Sequence, residues 1–416
     1  MRKELDKVFE LTEDFVKYHE RTLPLCAAEN VISDFANLPY KYGFQERYIM
    51  NNTYSFNMDD NFIGCEKLYP FYVELSNVCE RLFNAKYSDA RPFTGMNCID
   101  MIVKTLCDFG DKMVILGKDY GGHASVKPVV ERLGVEVFDA PYNLENFDID
   151  YDALNKFVKE NDIKFILLAP SDIIKPLNVE KIDTSSAVLL YDCSQILGFI
   201  AAGLVPNPLN TMKNIVMFGG THKTFPGPAS GLILTNEEEL HNKMEKTINP
   251  TLLRHSQMHQ KISLLFALLE FEEYGKQYME KVVHCSNYLA EKLSNLGFDI
   301  STADGNYSNT HQIFIRCPKE VMDTIYSNAF KCEVTLNKKH KKLFGEGEYG
   351  IRLGTQEIAR YNYDDEALDK ISLIINEMKN ENCNYEYIEE LKKELPKKEI
   401  HFAYGKDIID KFNSIK

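Results

Sequence analysis

The chain has no tryptophan, no Cys-x-x-Cys pair and no Cys/His cluster at zinc-site spacing, and its 48 Lys and Arg are outnumbered by 62 Asp and Glu. Most of these shortages close off a class of function. Ten cysteines stand singly at 26, 65, 79, 98, 107, 193, 285, 317, 332 and 383, which argues against a disulfide framework and against a bound structural metal. They suit reduced, mostly buried thiols in a cytoplasmic setting. A net charge of -14 would repel a phosphate backbone over most of the surface, so no nucleic-acid partner is expected. The longest apolar run, near Leu264 to Leu269, is far too short to cross a bilayer. Nor does the N-terminus, Met1-Arg-Lys-Glu-Leu-Asp-Lys, carry the continuous apolar core of a signal peptide, so no membrane role is expected. The missing tryptophan excludes nothing.

What is present is enough chain for two domains and an enclosed site, at 416 residues. From about 85 to 236, short apolar runs alternate with helical periods. Lys112-Met-Val-Ile-Leu, Val135-Glu-Val-Phe-Asp, Lys164-Phe-Ile-Leu-Leu-Ala, Ala187-Val-Leu-Leu-Tyr-Asp, Asn214-Ile-Val-Met-Phe and Gly231-Leu-Ile-Leu-Thr read as strands buried on both faces. Amphipathic stretches such as Tyr151 to Asn161 lie between them. The pattern predicts an α/β fold with a mostly parallel, doubly wound sheet. Beyond Asn236 the periods lengthen, with helices expected over Leu252 to Tyr274 and Tyr278 to Leu296. Strand-like runs follow at Gln312-Ile-Phe-Ile-Arg, Glu333-Val-Thr-Leu-Asn and Gly350-Ile-Arg-Leu-Gly, around a helix from Lys319. This mix predicts a smaller α+β C-terminal domain. The divisions read as an N-terminal arm over 1–40, a large cofactor-binding domain over 41–275 and a small domain over 276–416.

Lys223 lies in Phe218-Gly-Gly-Thr-His-Lys-Thr-Phe-Pro-Gly-Pro, a small-residue turn between two strand-like runs, 31 positions after a strand ending at Tyr191-Asp192. Strand-end lysines are usually solvated. Gly219, Gly220, Gly227 and Gly231 change that expectation, because they allow backbone to approach a ligand closely. Asp192 alone would usually be an N-cap or a salt-bridged loop residue. A lysine and an aspartate at two strand ends are, together, what pyridoxal 5'-phosphate chemistry needs. The amine bonds the cofactor aldehyde and the carboxylate keeps the pyridine nitrogen protonated. Thr94, Gly95 and Met96 precede a helical period from Cys98 to Phe109, where unpaired amides and the macrodipole favour a phosphate, although most such Thr-Gly pairs are plain caps. Tyr120, followed by Gly121, Gly122 and His123, has an aromatic ring able to stack on a flat heterocycle, or simply to pack in a turn. Arg352, on a strand-like run, offers a guanidinium fork to a carboxylate, though a strand arginine more often pairs with a surface acid. Each signal is weak singly, and the ordered set carries the reading.

The chain resembles the serine hydroxymethyltransferase family, of the fold type I pyridoxal phosphate enzymes, from about Leu23 to Arg360. Leu23-Pro-Leu-Cys-Ala-Ala-Glu-Asn resembles the family's A-S-E-N segment, and Gly64-Cys-Glu its G-C-E. Tyr191-Asp192 with Leu197-Gly-Phe-Ile-Ala-Ala-Gly resembles V-D-x-A-H-x-x-G-L-x-A-A-G. Thr221-His-Lys-Thr-Phe-Pro-Gly-Pro resembles T-H-K-T-L-x-G-P, Gly350-Ile-Arg-Leu-Gly-Thr resembles G-I-R-x-G-T, and Thr335-Leu-Asn-Lys lies where the family has a folate-side loop.

The resemblance implies Lys223 as the lysine bound to the cofactor, Asp192 as partner of its ring nitrogen, and Thr94, Gly95 and Met96 at its phosphate. Tyr120 would stack on the ring where the family usually has histidine, and Ser171 would touch the phenolic oxygen. His123, Ser194, Gln195 and Thr221 would join the cofactor site. Lys223, Asp192, His222 and Tyr54 form the expected catalytic set, and Arg352, Ala28 and Glu29 the substrate set, with Arg352 on the α-carboxylate. A homodimer with shared active sites is implied, Tyr54 reaching the neighbouring subunit's cofactor. The expected small-molecule partner is an amino acid.

Departures from the family pattern matter as much. Ala28 replaces the serine before Glu-Asn, Gln195 replaces the histidine after the Asp motif, and Ala229 replaces an arginine. The tyrosine two residues before G-C-E becomes Phe62, and the family's Tyr-x-Glu becomes Tyr54-Ser-Phe56. Phe56 cannot do the acid/base work of that glutamate in folate-dependent transfer. The expectation is therefore action at Cα–Cβ of glycine or a β-hydroxy amino acid without tetrahydrofolate. Three alternatives stay open: folate-dependent serine/glycine hydroxymethyl transfer; another reaction such as transamination, β-elimination or decarboxylation; and a cofactor-holding protein without turnover.

Overall fold

The computed structural model describes residues 2–49, 62–345 and 347–415. They group into two compact units: Ala28–Glu280 with Phe402–Lys416, and Met1–Ala27 with Lys281–His401.

The larger unit is built on a seven-stranded sheet of β1 (Tyr87–Asp89), β2 (Lys112–Ile115), β3 (Glu136–Asp139), β4 (Phe165–Leu168), β5 (Val188–Asp192), β6 (Ile215–Gly220) and β7 (Gly231–Thr235). Their spatial order is β1-β7-β6-β5-β4-β2-β3. Strands β3, β2, β4, β5 and β6 pair in parallel, and β7 runs antiparallel to both β6 and β1. This is the mostly parallel α/β sheet that the apolar runs predict. Val-, Ile- and Leu-rich segments suit strands covered on both faces. The helix Gly95–Leu106 covers one face, its Ile99, Ile102, Val103 and Leu106 packing with Leu167, Leu190, Val216 and Ile233. Each such side chain contributes about 1.5–3 kcal/mol through burial.

Two details differ from the pattern. β3 is not buried on both faces: Glu136 and Asp139 are exposed, because β3 is an edge strand with β2 as its one neighbour, and charge on an edge discourages further pairing. β1 was not foreseen, being only three residues long.

Strand order reverses between β2 and β4: the chain steps outward from β2 to β3, then returns to build β4, β5 and β6 on the other side. In open α/β sheets, ligands lie outside the carboxyl ends of the strands at such a reversal.

The two helices expected after Leu252 are one, Met258–Asn295, of 38 residues. Gly275 does not break it: a Cβ there would come within 2.3 Å of the Phe271 ring, so the glycine makes room for an aromatic neighbour. Leu252 and Leu253 lie outside the helix, in a turn ending in extended backbone, and Gln257 has a φ of 53° just before it begins.

The smaller unit contains an antiparallel sheet of β8 (Asp299–Ile300), β9 (Gln312–Arg316), β10 (Asn337–His340) and β11 (Tyr349–Gly354), in the order β8-β9-β11-β10. The run expected over Glu333 to Asn337 is split: Val334–Thr335 pairs in parallel with Leu23–Pro24, and Asn337 opens β10. The helix Arg2–Arg21 shows Leu5, Val8, Phe9 and Phe15 to solvent, and Arg21 grips Glu333 through two hydrogen bonds of 2.9 and 2.7 Å. Among the described residues no helix is long and apolar enough to cross a membrane.

Candidate cofactor site

The carboxyl edge of the larger sheet collects most of the expected residues. Asp192 ends β5, Thr221 to Lys223 follow β6, Tyr120 to His123 follow β2, and Ser171 follows β4. The helix carrying Gly95 and Met96 starts six residues after β1, which runs in the same sense as β6 because each is antiparallel to β7.

Asp192 is buried, and burial pushes its carboxyl above the usual carboxylate range, against the downward pull of Lys223, Ser194 and His123. Ser194 donates from its backbone N–H (2.8 Å) and from its hydroxyl to the same carboxylate oxygen, Oδ1. The Ser194 hydroxyl in turn accepts the Gly220 amide at 2.8 Å, tying the ends of β5 and β6 together. Close approach explains the glycines here. A Cβ on Gly219 would come within 2.8 Å of Ser194 N, and one on Gly231 within 2.7 Å of Thr94 O. The sequence suggested that Gly219, Gly227 and Gly231 make room for a ligand, but their Cβ positions face protein, including Thr221 O at 2.8 Å from Gly227.

The Lys223 turn is held at several points. Thr221, fully buried, donates its hydroxyl to Pro228 O at 2.7 Å, and its carbonyl accepts Gly227 N at 2.9 Å. Asn30 donates its side-chain amide to the Lys223 carbonyl and to Tyr278 Oη, the latter at 2.8 Å. His222 beside it has a buried Nδ1 with no hydrogen-bond partner among the described residues. Burial, then the charge of Lys223, pushes its imidazole down, which favours a neutral ring at neutral pH.

Thr94 is the N-cap of the helix Gly95–Leu106, with extended backbone (φ -152°, ψ 167°) and its hydroxyl accepting Asn97 N at 3.1 Å. The hydroxyl therefore finishes the helix, while the early amides of Gly95 and Met96 remain the helix-start donors that suit an anion. Met96 also packs its side chain against the sheet core. A Cβ on Gly95 would sit 3.0 Å from Gly220 N and 3.2 Å from Ser194 Oγ, so the helix start lies directly against the Asp192 brace.

On the far side, Tyr120 ends a short helical turn and stacks on Tyr142, with ring centroids 5.4 Å apart and planes 23° from parallel. His123 donates its amide to Ala169 O at 2.9 Å, and Ser171 donates its amide to Gly121 O at 2.7 Å, so the β2 and β4 loops are stitched together. Gln195 is buried. Ala28 is half-buried and Glu29 exposed, in the turn leading to Asn30.

Arg352 belongs to the smaller unit. It lies in β11 opposite Asn337 and Phe314, is buried, and donates from Nη2 to Asn337 Oδ1 at 2.6 Å. Tyr54 and Phe56 lie outside the described residues. Sequence reasoning passed over Asn30, although the Glu-Asn motif that contains it was the available signal. It also passed over Tyr142, which nothing local marks.

The donor set fits pyridoxal phosphate: an amine, a buried carboxylate whose raised affinity for a proton calls for a cationic partner, and a helix start open to a dianion. Residues 2–375 match the family described as serine hydroxymethyltransferase. Serine hydroxymethyltransferase of Pyrococcus furiosus is 31% identical over 321 residues, 74% of this chain and 74% of that protein. The Sulfolobus acidocaldarius protein of the same name is 27% identical over 405 residues, 94% of this chain and 92% of its own. The crystal structure of L-threonine transaldolase from Pseudomonas fluorescens aligns with a TM-score of 0.88 at 21% identity, covering 99% of this chain and 97% of that one, which speaks for the fold. With the family match spanning most of its length and the cofactor's donor set in place, the chain belongs to the serine hydroxymethyltransferase family of pyridoxal phosphate enzymes that act on amino acids.

Proposed function

We propose that the protein acts at the Cα–Cβ bond of glycine or a β-hydroxy amino acid without tetrahydrofolate, by aldol or transaldol chemistry. The observation that carries this reading is a change of residue: the family's Tyr-x-Glu stands here as Tyr54-Ser-Phe56, which removes a carboxyl that could hold the folate reaction's proton. The transaldolase that shares the fold lends support, since its name describes Cα–Cβ exchange on threonine.

Pyridoxal phosphate supplies an electron sink for charge developing at the substrate Cα. Lys223 would present the amine for its aldehyde, and Asp192, braced by Ser194, would keep the ring nitrogen protonated. Amides of Gly95 and Met96 would take the phosphate, and Tyr120, backed by Tyr142, would offer its ring to the cofactor. Ser171, His123, Gln195 and Thr221 complete the cradle. His222, kept neutral, accepts a proton at Nδ1 beside Lys223. Arg352 would take the substrate carboxylate through its guanidinium fork and so hold the amino acid in one orientation. Ala28 and Glu29 would border the substrate, and in a homodimer Tyr54 would be the residue supplied to the neighbouring site.

The deciding experiment measures serine and threonine cleavage with and without tetrahydrofolate, and threonine turnover with an added aldehyde acceptor. Folate-independent cleavage and acceptor exchange are expected, and a strong folate requirement would defeat the proposal. The name shared by the curated relatives favours that second outcome, ordinary serine/glycine hydroxymethyl transfer.

A further inference from the structure

Lys261 is one of the largest fully buried side chains in the protein, and nothing in the cofactor chemistry above uses it. Its ammonium donates to Pro92 O at 3.0 Å, Ser230 Oγ at 3.1 Å and Gln260 Oε1 at 3.1 Å, all uncharged acceptors. The carboxylate that acts on it, Asp89, is already committed to Arg91 at 2.6 Å, and Arg91 is held by Glu245 as well. Lys261 also sits in the first turn of the helix Met258–Asn295, where the macrodipole disfavours a cation. Burial pushes it down to about 7, with Asp89 and Cys98 pulling the other way. A buried ammonium without an ion pair is expensive unless an anion compensates it.

Its acceptors are informative. Pro92 O receives three donors, Lys261 Nζ, Gly231 N at 3.0 Å and Ser230 Oγ at 3.3 Å. The ring of Phe93, the next residue, lies 5.4 Å from Nζ. Thr94, Gly95 and Met96 follow directly. The lysine thus holds the peptide from which the helix start is launched, and it joins that peptide to the segment leading into β7.

We infer that Lys261 is a positioning residue for the cofactor phosphate: it fixes Pro92 and so aims the Gly95 and Met96 amides, and the bound dianion offsets its charge. The inference rests on the assignment of the phosphate to that helix start.

The test compares affinities of the full-length apoprotein for pyridoxal 5'-phosphate and for pyridoxal, which lacks the phosphate, followed by absorbance and fluorescence. Lys261→Met is expected to weaken pyridoxal 5'-phosphate binding about tenfold, the scale of one lost charge-assisted hydrogen bond, and to leave pyridoxal binding unchanged. Equal losses for both ligands, or no loss for either, would overturn the inference, because a purely structural lysine would not tell them apart. If Lys261→Met does not fold, Ser230→Ala, which removes one acceptor, is expected to show the same phosphate-specific loss at a smaller size, and an unchanged ratio of the two affinities overturns the inference there too. Gly95→Val reads the underlying assignment separately: if it spares the preference for the phosphorylated ligand, the phosphate site itself is misplaced, whatever Lys261 does.

Discussion

Ser194 donates both its amide and its hydroxyl to a single oxygen of Asp192, Oδ1. The same hydroxyl accepts the Gly220 amide, so one side chain fixes a carboxylate and the strand that leads to Lys223. Ser194→Ala keeps the amide and loses the rest. It should weaken cofactor affinity roughly tenfold and lower stability by about 1–3 kcal/mol, because the Gly220 amide is left buried without its acceptor. Cofactor titration and denaturant melts of the variant check both.

Asp192 gives a prediction with opposite signs in the two forms of the protein. Its folded carboxyl is raised above the ordinary 3.8, so the folded state holds that proton more tightly than the unfolded chain does. Its stabilising contribution is complete below pH 3.8 and is lost as pH rises through the raised value. Apoprotein carrying Asp192→Asn should therefore be more stable than wild type at pH 7, with the gap closing as pH falls towards 4. With cofactor bound, the order should reverse, because the protonated ring compensates the carboxylate. Melts of both forms across this pH range are the measurement, and an apo difference independent of pH would count against the buried charge.

Lys223→Ala should abolish the visible absorbance of bound cofactor while leaving the fold intact. The contact that Asn30 makes at this residue is to the backbone carbonyl, which the substitution keeps. Borohydride reduction followed by peptide mapping should label position 223 in the wild type and nothing in the variant.

Arg352→Ala should weaken amino-acid binding by about 2–5 kcal/mol if the guanidinium pairs with the substrate carboxylate while buried. Cofactor affinity should hold. Spectral titration with glycine, serine, threonine and alanine separates the two effects, and an unchanged amino-acid affinity would remove Arg352 from the site.

The sequence carried the parallel strands plainly, because Val-, Ile- and Leu-rich runs such as Phe165–Leu168 have no stable place except inside a covered sheet. It also placed Asp192 at the end of one strand, Lys223 just past another and Thr94 at a helix start, since turn glycines and a cap residue mark their own surroundings. Other features were less visible. The gap expected between Tyr274 and Tyr278 is absent, because Gly275 packs against the Phe271 ring inside one continuous helix. The split between Val334–Thr335 and Asn337–His340 depends on Leu23–Pro24, some 310 residues away in sequence. The stack of Tyr142 on Tyr120 and the grip of Lys261 on Pro92 are contacts between distant segments, which local periodicity cannot register.

The clasp of Asn30 on the Lys223 carbonyl and on Tyr278 makes the lysine a swinging arm on a fixed pivot. With the backbone held there, movement of the ε-amine is left to rotations of the side chain itself. An amine carried in this way would leave a bond and return to it without any rearrangement of the backbone.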